Sequence, residues 1–301
     1  MAVIEIPSGE IHKTYETYLS VMGQLTQLQA DRGTVLINLG GGVVCDLGGF
    51  AAATYKRGIR YINVPTTLLA MADAATGGKT GIDFLNYKNL IGAFHQPLGT
   101  FIYADFLETL PTEHLLSGLG EIIKTCLIAN ANLFSQLSTD LLNDISRLAF
   151  LAERAAEFKH TIVEQDPTEQ NVRQIFNFGH TFGHCFESFF LSSGQPITHG
   201  HAVAMGMLCE TMLSVRYLGL SKNTCDQINN LILKYFSPIA VQSQHFETLW
   251  QIMQHDKKNS HQEVHCVLLK AIGAPKYNQI IDKDAVFSAF QYYQSLSKAP
   301  L

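Results

Sequence analysis

Residues 34–42 (TVLINLGGG) narrow most sharply what this chain can fold into. Residues 34–39 form a short apolar run of strand type, and Gly40, Gly41 and Gly42 follow with no spacer. Residues 43–55 then carry the small and apolar side chains of a buried helix. A strand that runs into glycine and then helix opens a crossover in a parallel α/β sheet, with its turn at the strand's carboxyl end. Glycine lets the backbone approach a pyrophosphate, and the helix N-terminus offers free N–H groups and partial positive charge. The strict G-x-G-x-x-G fingerprint is not met, because Cys45 stands where the third glycine belongs. Pattern alone leaves two readings open, a nucleotide-binding loop and a simple tight turn.

The same alternation continues for some sixty residues. A second strand is predicted over 61–64, ending at Pro65, with Thr66 and Thr67 placed to cap an apolar helix. Residues 77–81 (GGKTG) read as a turn and 101–104 as another short strand. Beyond residue 111 the periodicity becomes helical, over 112–129, 144–165, 173–190 and 199–217, with Gly219 as a stop and a β-rich piece at 264–269. The expected fold is therefore an α/β N-terminal nucleotide-binding domain over 1–108, with an abbreviated Rossmann-like parallel sheet. A mainly α-helical metal- and substrate-binding domain over 109–301 follows. The sheet is expected to be abbreviated because residues 1–33 have room for at most one short strand and one helix.

At 301 residues and 47% hydrophobic content the chain can bury two cores. It has no apolar run of the ~18 residues a membrane span needs, and no charged-then-apolar leader, so a cytoplasmic location is expected. A net charge of −5 argues against a nucleic-acid partner, which needs a basic face. The six cysteines are scattered without a C-x-x-C pair, which predicts reduced, buried thiols.

Histidines are more informative. His180 and His184 in 177–184 (NFGHTFGH) share a helix face at i and i+4, a spacing that suits metal ligation. His199-Gly200-His201 follows, and Glu121 lies in the apolar helix segment 120–124 (GEIIK). H-E-x-x-H is absent, which disfavours a zincin-type protease. A lone helical histidine is usually a hydrogen-bonded structural residue; three bunched together with a buried-looking acid point to a divalent metal. Lys79, Lys88, Lys124, Lys159, Arg173 and the Lys257-Lys258 pair sit beside glycine or in apolar surroundings. As a set they suit a phosphate and a carboxylate, although any one alone reads as surface charge.

Read in order, these segments resemble the 3-dehydroquinate synthase family. The matching runs are 40–47 (GGGVVCDL), 55–58 (YKRG), 64–70 (VPTTLLA), Asp73, 77–80 (GGKT), 88–92 (KNLIG) and 106–111 (FLETLP). In the second half they are 120–124, 177–184, His199-Gly200 and 256–259 (DKKN). The resemblance implies NAD, a zinc or cobalt ion, and a homodimer. It also implies conversion of 3-deoxy-D-arabino-heptulosonate 7-phosphate into 3-dehydroquinate and phosphate, a step of the shikimate pathway.

Carried over by motif, the metal ligands would be Glu121, His180 and His199 rather than the His180/His184 pair that spacing favours. NAD would be lined by Glu10, Lys13, Gly41, Gly42, Asp46, Thr66, Thr67, Lys79, Lys88, Phe106 and Thr109. Lys79, Lys124, Lys159, Arg173, Asn177 and His184 would serve catalysis. Asp73, Asn89 and Lys257 would hold substrate, and Arg57 resembles the arginine that family dimers extend to the other copy's phosphate. The resemblance joins the family pattern at 7–13 (PSGEIHK), so roughly two strand–helix units, on the order of 60 residues, have no counterpart. The acidic residue that usually binds the adenine ribose is among them. His201 stands where many members carry Glu. Competing expectations are a related cyclase of the 2-deoxy-scyllo-inosose or 2-epi-5-epi-valiolone synthase type, a polyol dehydrogenase of the glycerol dehydrogenase type, and a truncated non-catalytic paralogue.

Overall fold

The computed structural model describes residues 1–85, 87–138, 140–254 and 263–296. They divide into two compact units, Met1–Gly118 with Asp144–Thr168, and Leu119–Asn143 with Glu169–Leu301. The units interleave in sequence, whereas the division expected at 108/109 is contiguous.

In the first unit, α1 (Tyr15–Gln27) starts on Thr14, whose hydroxyl accepts the Thr17 N–H at 3.3 Å. Strands β1 (Val35–Gly40) and β2 (Arg60–Pro65) pair in parallel, Val35 opposite Arg60 through Gly40 opposite Pro65. The crossover between them is α2 (Gly42–Thr54), the helix that the glycine triplet predicts. It lies close on the strands because its inner face is nearly bare. A side chain on Gly48 would overlap Asn38 Oδ1, and one on Gly49 would come 2.5 Å from Thr80 Cγ2. Leu47, Phe50, Ala51, Tyr61 and Ile82 form the core beneath, with Val21 and Leu25 of α1.

The predicted cap at Thr67 is present, its hydroxyl accepting the Ala70 N–H at 3.3 Å, but the helix it starts widens into a π-turn over Ala70–Ala74. The turn expected over 77–81 is confined to Gly77 and Gly78, both at positive φ. Lys79 already begins β3 (Lys79–Phe84), which pairs antiparallel with β4 (Tyr87–Phe94). The strand expected over 101–104 is not formed. Gly99 and Phe101 exchange backbone hydrogen bonds with Asn63 of β2, so the pairing is used up by Phe101, and Ala104–Leu107 is a 3₁₀ turn. The next helix, α3 (Thr112–Ala129), runs into the second unit. After short α4 (Ala131–Ser135), α5 (Ile145–Gln165) returns to the first, capped by Asp144 through the Arg147 N–H at 2.8 Å.

The second unit is mainly helical. The helix expected over 173–190 is interrupted: Val172–Asn177 is 3₁₀, and α6 (His180–Ser192) starts afresh after Gly179, whose φ is +77°. A Cβ on Gly179 would meet Met207 Cγ at 2.6 Å and Val203 O at 2.9 Å, so close packing enforces the break. That packing is against α7 (His199–Leu218), which stops at Gly219 in the left-handed region, as the sequence predicts. Helices α8 (Lys222–Tyr235) and α9 (Phe246–Gln254) follow. The expected strand is β5 (Val264–Leu269), and β6 (Pro275–Ile281) pairs with it antiparallel before α10 (Lys283–Leu296). Phe182 and Phe186 of α6 interlock with Phe290 of α10 at ring separations of 5.6 and 5.8 Å. Among the described residues no helix is long and apolar enough to cross a membrane.

Candidate metal centre and nucleotide loop

Three helices of the second unit bring together Glu121 from α3, His180 at the start of α6 and His199 at the start of α7. One ligand atom from each lies within 4.8 Å of the other two, which makes this a group able to hold a metal ion. Nε2 of His199 stands 3.3 Å from Glu121 Oε1, and Nε2 of His180 stands 3.5 Å from it. Ligand atoms bonded tetrahedrally to zinc at about 2.1 Å are about 3.4 Å apart, so these separations fit. Glu121 is fully buried; Lys124 pairs with its Oε2, while its Oε1 faces the two histidines without a hydrogen bond of its own. A buried carboxylate oxygen so placed suits a further cation. Three protein ligands also leave coordination positions open, the arrangement of a catalytic rather than a structural site.

The electrostatics follow from burial and neighbours. Burial alone would raise the Glu121 pKa, but Lys124 and His199 hold it down to about 2. Burial opposes charge on His199 as well, yet pairing with Glu121 and Glu187 pushes its pKa up to about 10. His180 is driven well below the usual histidine range by burial and by Lys124, His184 and His199. Glu187 Oε2 faces His199 Nδ1 at 3.5 Å, which leaves Nε2 for a metal. His184 is outside the ligand group, although its ring centre is 5.3 Å from that of His180 and 6.0 Å from that of His199.

A lysine adjoins this centre. Lys124 is buried, ion-paired with Glu121 Oε2, and 5.4 Å above the Phe176 ring. Arg173 is almost fully buried, its Nε 3.9 Å from Glu169 Oε2. Asn177 donates to Glu169 Oε1 at 3.0 Å.

In the first unit, Gly41 caps α2 and Gly42 begins it. A Cβ on Gly41 would come 3.0 Å from Thr67 Cγ2, and one on Gly40 would overlap Val44. Thr66 donates its N–H to Gly40 O at 2.9 Å, so the loop is held under the threonine pair. The first-turn N–H groups of α2 are thus offered from a side-chain-free cradle, as a dinucleotide pyrophosphate requires. Beside it, Lys13 Nζ reaches Asp46 Oδ2 and Asn89 Oδ1, each at 2.6 Å, and Glu10 at 3.8 Å. Burial works against the Lys13 charge, but Asp46 and Glu10 outweigh it and raise its pKa. Elsewhere in this unit the Lys159 ammonium is tied to Asp73 twice, to the carboxylate at 3.0 Å and to the carbonyl at 2.8 Å.

The family models for the 3-dehydroquinate synthase N-terminal and C-terminal domains match residues 3–117 and 118–259. The chain belongs to the 3-dehydroquinate synthase family. It is 40% identical over 295 residues to the 3-dehydroquinate synthase of Parabacteroides distasonis, covering 97% of this chain and 83% of that one. Among solved structures it is similar to a 2-deoxy-scyllo-inosose synthase complexed with carbaglucose-6-phosphate, NAD⁺ and Co²⁺, with TM-score 0.85 and 25% identity, covering 96% of this chain and 82% of that chain. It is also similar to the 2-epi-5-epi-valiolone synthase of Streptomyces hygroscopicus with NAD⁺ and Zn²⁺ bound, with TM-score 0.82 and 26% identity, over 96% and 82%. An α/β sheet unit and a mostly helical second unit are thus the architecture shared with these cyclases.

Family resemblance also draws attention to side chains less tightly placed. Lys79 at the start of β3 and Lys88 on β4 are exposed, as is Thr109, while Phe106 is half-buried with its ring against Tyr103. Arg57 is exposed in a tight turn at φ +69°. Lys257 lies outside the described residues. His201 meets the Ser237 carbonyl at 3.0 Å. Sequence reasoning missed Glu169 and Glu187. Glu187 was within reach, since positions 180, 184 and 187 follow the i, i+4, i+7 rhythm of one helix face. Glu169 gave no such signal, because it sits outside any regular element at φ +59°.

Proposed function

We propose that this chain is a 3-dehydroquinate synthase, a phosphate-eliminating lyase acting on 3-deoxy-D-arabino-heptulosonate 7-phosphate. The observation that carries the reading is the buried Glu121 carboxylate facing His180 and His199 at metal-ligand separations. When bound, NAD would take up a hydride from the substrate and return it, and a zinc or cobalt ion at Glu121, His180 and His199 would polarise the substrate's hydroxyls. The remaining work falls to binding and orientation. Asp73 holds the Lys159 ammonium, and Glu169 holds Arg173 and Asn177, so these donors are fixed before substrate arrives. With Lys124, Asn89 and His184 they would grip the substrate's phosphate and carboxylate. Arg173, Lys159 and His184 would orient the substrate's own phosphate, which would accept the proton that the substrate gives up. Glu10, Lys13, Gly41, Gly42, Asp46, Thr66, Thr67, Lys79, Lys88, Phe106 and Thr109 would line the NAD. A homodimer would let exposed Arg57 of one copy reach the phosphate bound by the other.

The higher identity to a 3-dehydroquinate synthase, 40% against 25% for the inosose synthase, favours this substrate over that of the related cyclases. The test is product analysis with the heptulosonate phosphate, NAD and Co²⁺. Formation of 3-dehydroquinate without net NADH is expected. Accumulating NADH, or turnover of a different sugar phosphate only, would overturn the assignment.

A further inference from the structure

Glu210 lies in the middle of α7 with no exposed surface, among Met207, Leu208, Cys209 and Leu213. A carboxylate in such a layer is prohibitively unfavourable unless specific partners compensate it. Its Oε2 accepts the N–H of Gly179 at 2.6 Å. Gly179 is the N-cap of α6, where the backbone N–H groups carry the positive end of the helix dipole.

The bonded N–H belongs to the planar peptide that joins Phe178 to Gly179. The carbonyl of that same peptide, Phe178 O, lies 3.2 Å from Nδ1 of His180. A carbonyl can only accept, so Nδ1 carries the proton and Nε2 presents its lone pair towards Glu121 Oε1, 3.5 Å away. Because the peptide is rigid, fixing its N–H fixes the direction of its C=O. Glu210 thus reaches the His180 ring through one intervening peptide plane. Gly179 itself is packed tightly on α7, where a Cβ on it would meet Met207 Cγ at 2.6 Å and Val203 O at 2.9 Å.

We propose that Glu210 is a positioning residue for the metal centre, setting the ring orientation and tautomer of His180 through the Phe178–Gly179 peptide. This rests on reading Glu121, His180 and His199 as the ligands. Carboxylates that orient a ligating histidine directly are a familiar device, and here the carboxylate acts one peptide further out. The charge matters as well as the acceptor, because a hydrogen bond to an ionised group is about twice as strong as a neutral one.

Ser214 supplies the control. Its hydroxyl donates to the Glu210 main-chain carbonyl at 2.7 Å and accepts the Leu269 N–H at 2.8 Å, tying the same turn of α7 to β5 without touching the carboxylate. The experiment titrates Co²⁺ into the metal-stripped full chain, reading the d–d absorption bands and the affinity by chelator competition. Wild type, Glu210→Gln, Glu210→Met and Ser214→Ala are compared, each with its melting temperature. Glu210→Met should lose about 10–100-fold in Co²⁺ affinity with shifted bands, and Glu210→Gln about threefold. Ser214→Ala should lower the melting temperature yet keep wild-type affinity and bands. A folded Glu210→Met protein with wild-type affinity and bands would overturn the proposal, as would an equal loss in Ser214→Ala. Should Glu210→Met fail to fold, Glu210→Gln decides: the smaller loss at native melting temperature supports the role, and unchanged bands and affinity refute it. Failure of wild type itself to bind Co²⁺ would instead remove the metal reading.

Discussion

What separates His199 from His184 is the partner each imidazole faces. His199 stands between two carboxylates, Glu121 at 3.3 Å and Glu187 at 3.5 Å, whereas His184 is outside the group whose ligand atoms converge. His199→Ala should therefore abolish stoichiometric Co²⁺ binding in a titration of the metal-stripped protein, and His184→Ala should leave it intact. Equal loss in both would move the ligand set. Helical spacing alone points to the His180/His184 pair, because periodicity sees only neighbours on one helix. Glu121 and His199 reach His180 from two other helices, and that meeting is legible only through the ordered family motifs. Glu210 was not singled out, because the N–H it binds lies 31 positions earlier in the chain. The cysteines illustrate the opposite case. Burial pushes Cys45, with Asp46 adding to the effect, and Cys126 each up to about 12. Near pH 8 the thiolate fraction of either is on the order of 10⁻⁴, so thiol reagents should modify them only after unfolding. With folded pKa values above the 9.0 of a free thiol, their stabilising contribution is complete below pH 9 and lost as pH rises towards about 12. Native-state labelling of either cysteine at neutral pH would contradict this.

At the scale of elements, what the sequence made plain was regular periodicity, and what it hid was close approach. The strand, glycine triplet and helix over 34–55 formed as expected, as did the helices at 112–129, 144–165 and 199–217. The helix expected over 173–190 is broken by Gly179, and apolar periodicity runs on through the break because both sides face the same core. The β3–β4 hairpin was not foreseen either: its strands contain Gly81 and Gly92, which face each other so closely that a Cβ on Gly81 would come 2.8 Å from Ile91 O. Gly48 in α2 offers the sharpest test of close approach. Gly48→Ala gains about 1 kcal/mol in helix propensity. The new methyl would, however, displace Asn38, whose amide donates to Asn63 Oδ1 at 3.0 Å in the core while Asn63 in turn donates to Ala75 O at 2.9 Å. Overpacking costs about 1–3 kcal/mol and a disrupted buried hydrogen bond a similar amount. The net expectation is a loss of about 1–5 kcal/mol in chemical denaturation, and a stabilised variant would contradict the packing described.

Across the whole molecule, each unit carries its own cluster of polar groups. The first holds a side-chain-free loop at the N-terminus of α2 together with the Lys13–Asp46–Asn89 knot and the Lys159–Asp73 pair. The second holds the Glu121–His180–His199 group with Lys124, Arg173 and Asn177. The sequence showed an α/β half and a helical half, but not that residues 144–168 return to the first unit, because chain order says nothing about which core a helix joins. That return is what brings Lys159 to Asp73. A reaction that needs both a hydride carrier and a Lewis acid should stop when either is withheld. The most direct measurement is phosphate release from 3-deoxy-D-arabino-heptulosonate 7-phosphate by the full chain with NAD, before chelation, after chelation, and after Co²⁺ or Zn²⁺ is restored. Release that vanishes with chelator and returns with metal is the predicted result. Release that persists in fully metal-stripped protein, or none from folded, metal-loaded protein, would contradict it.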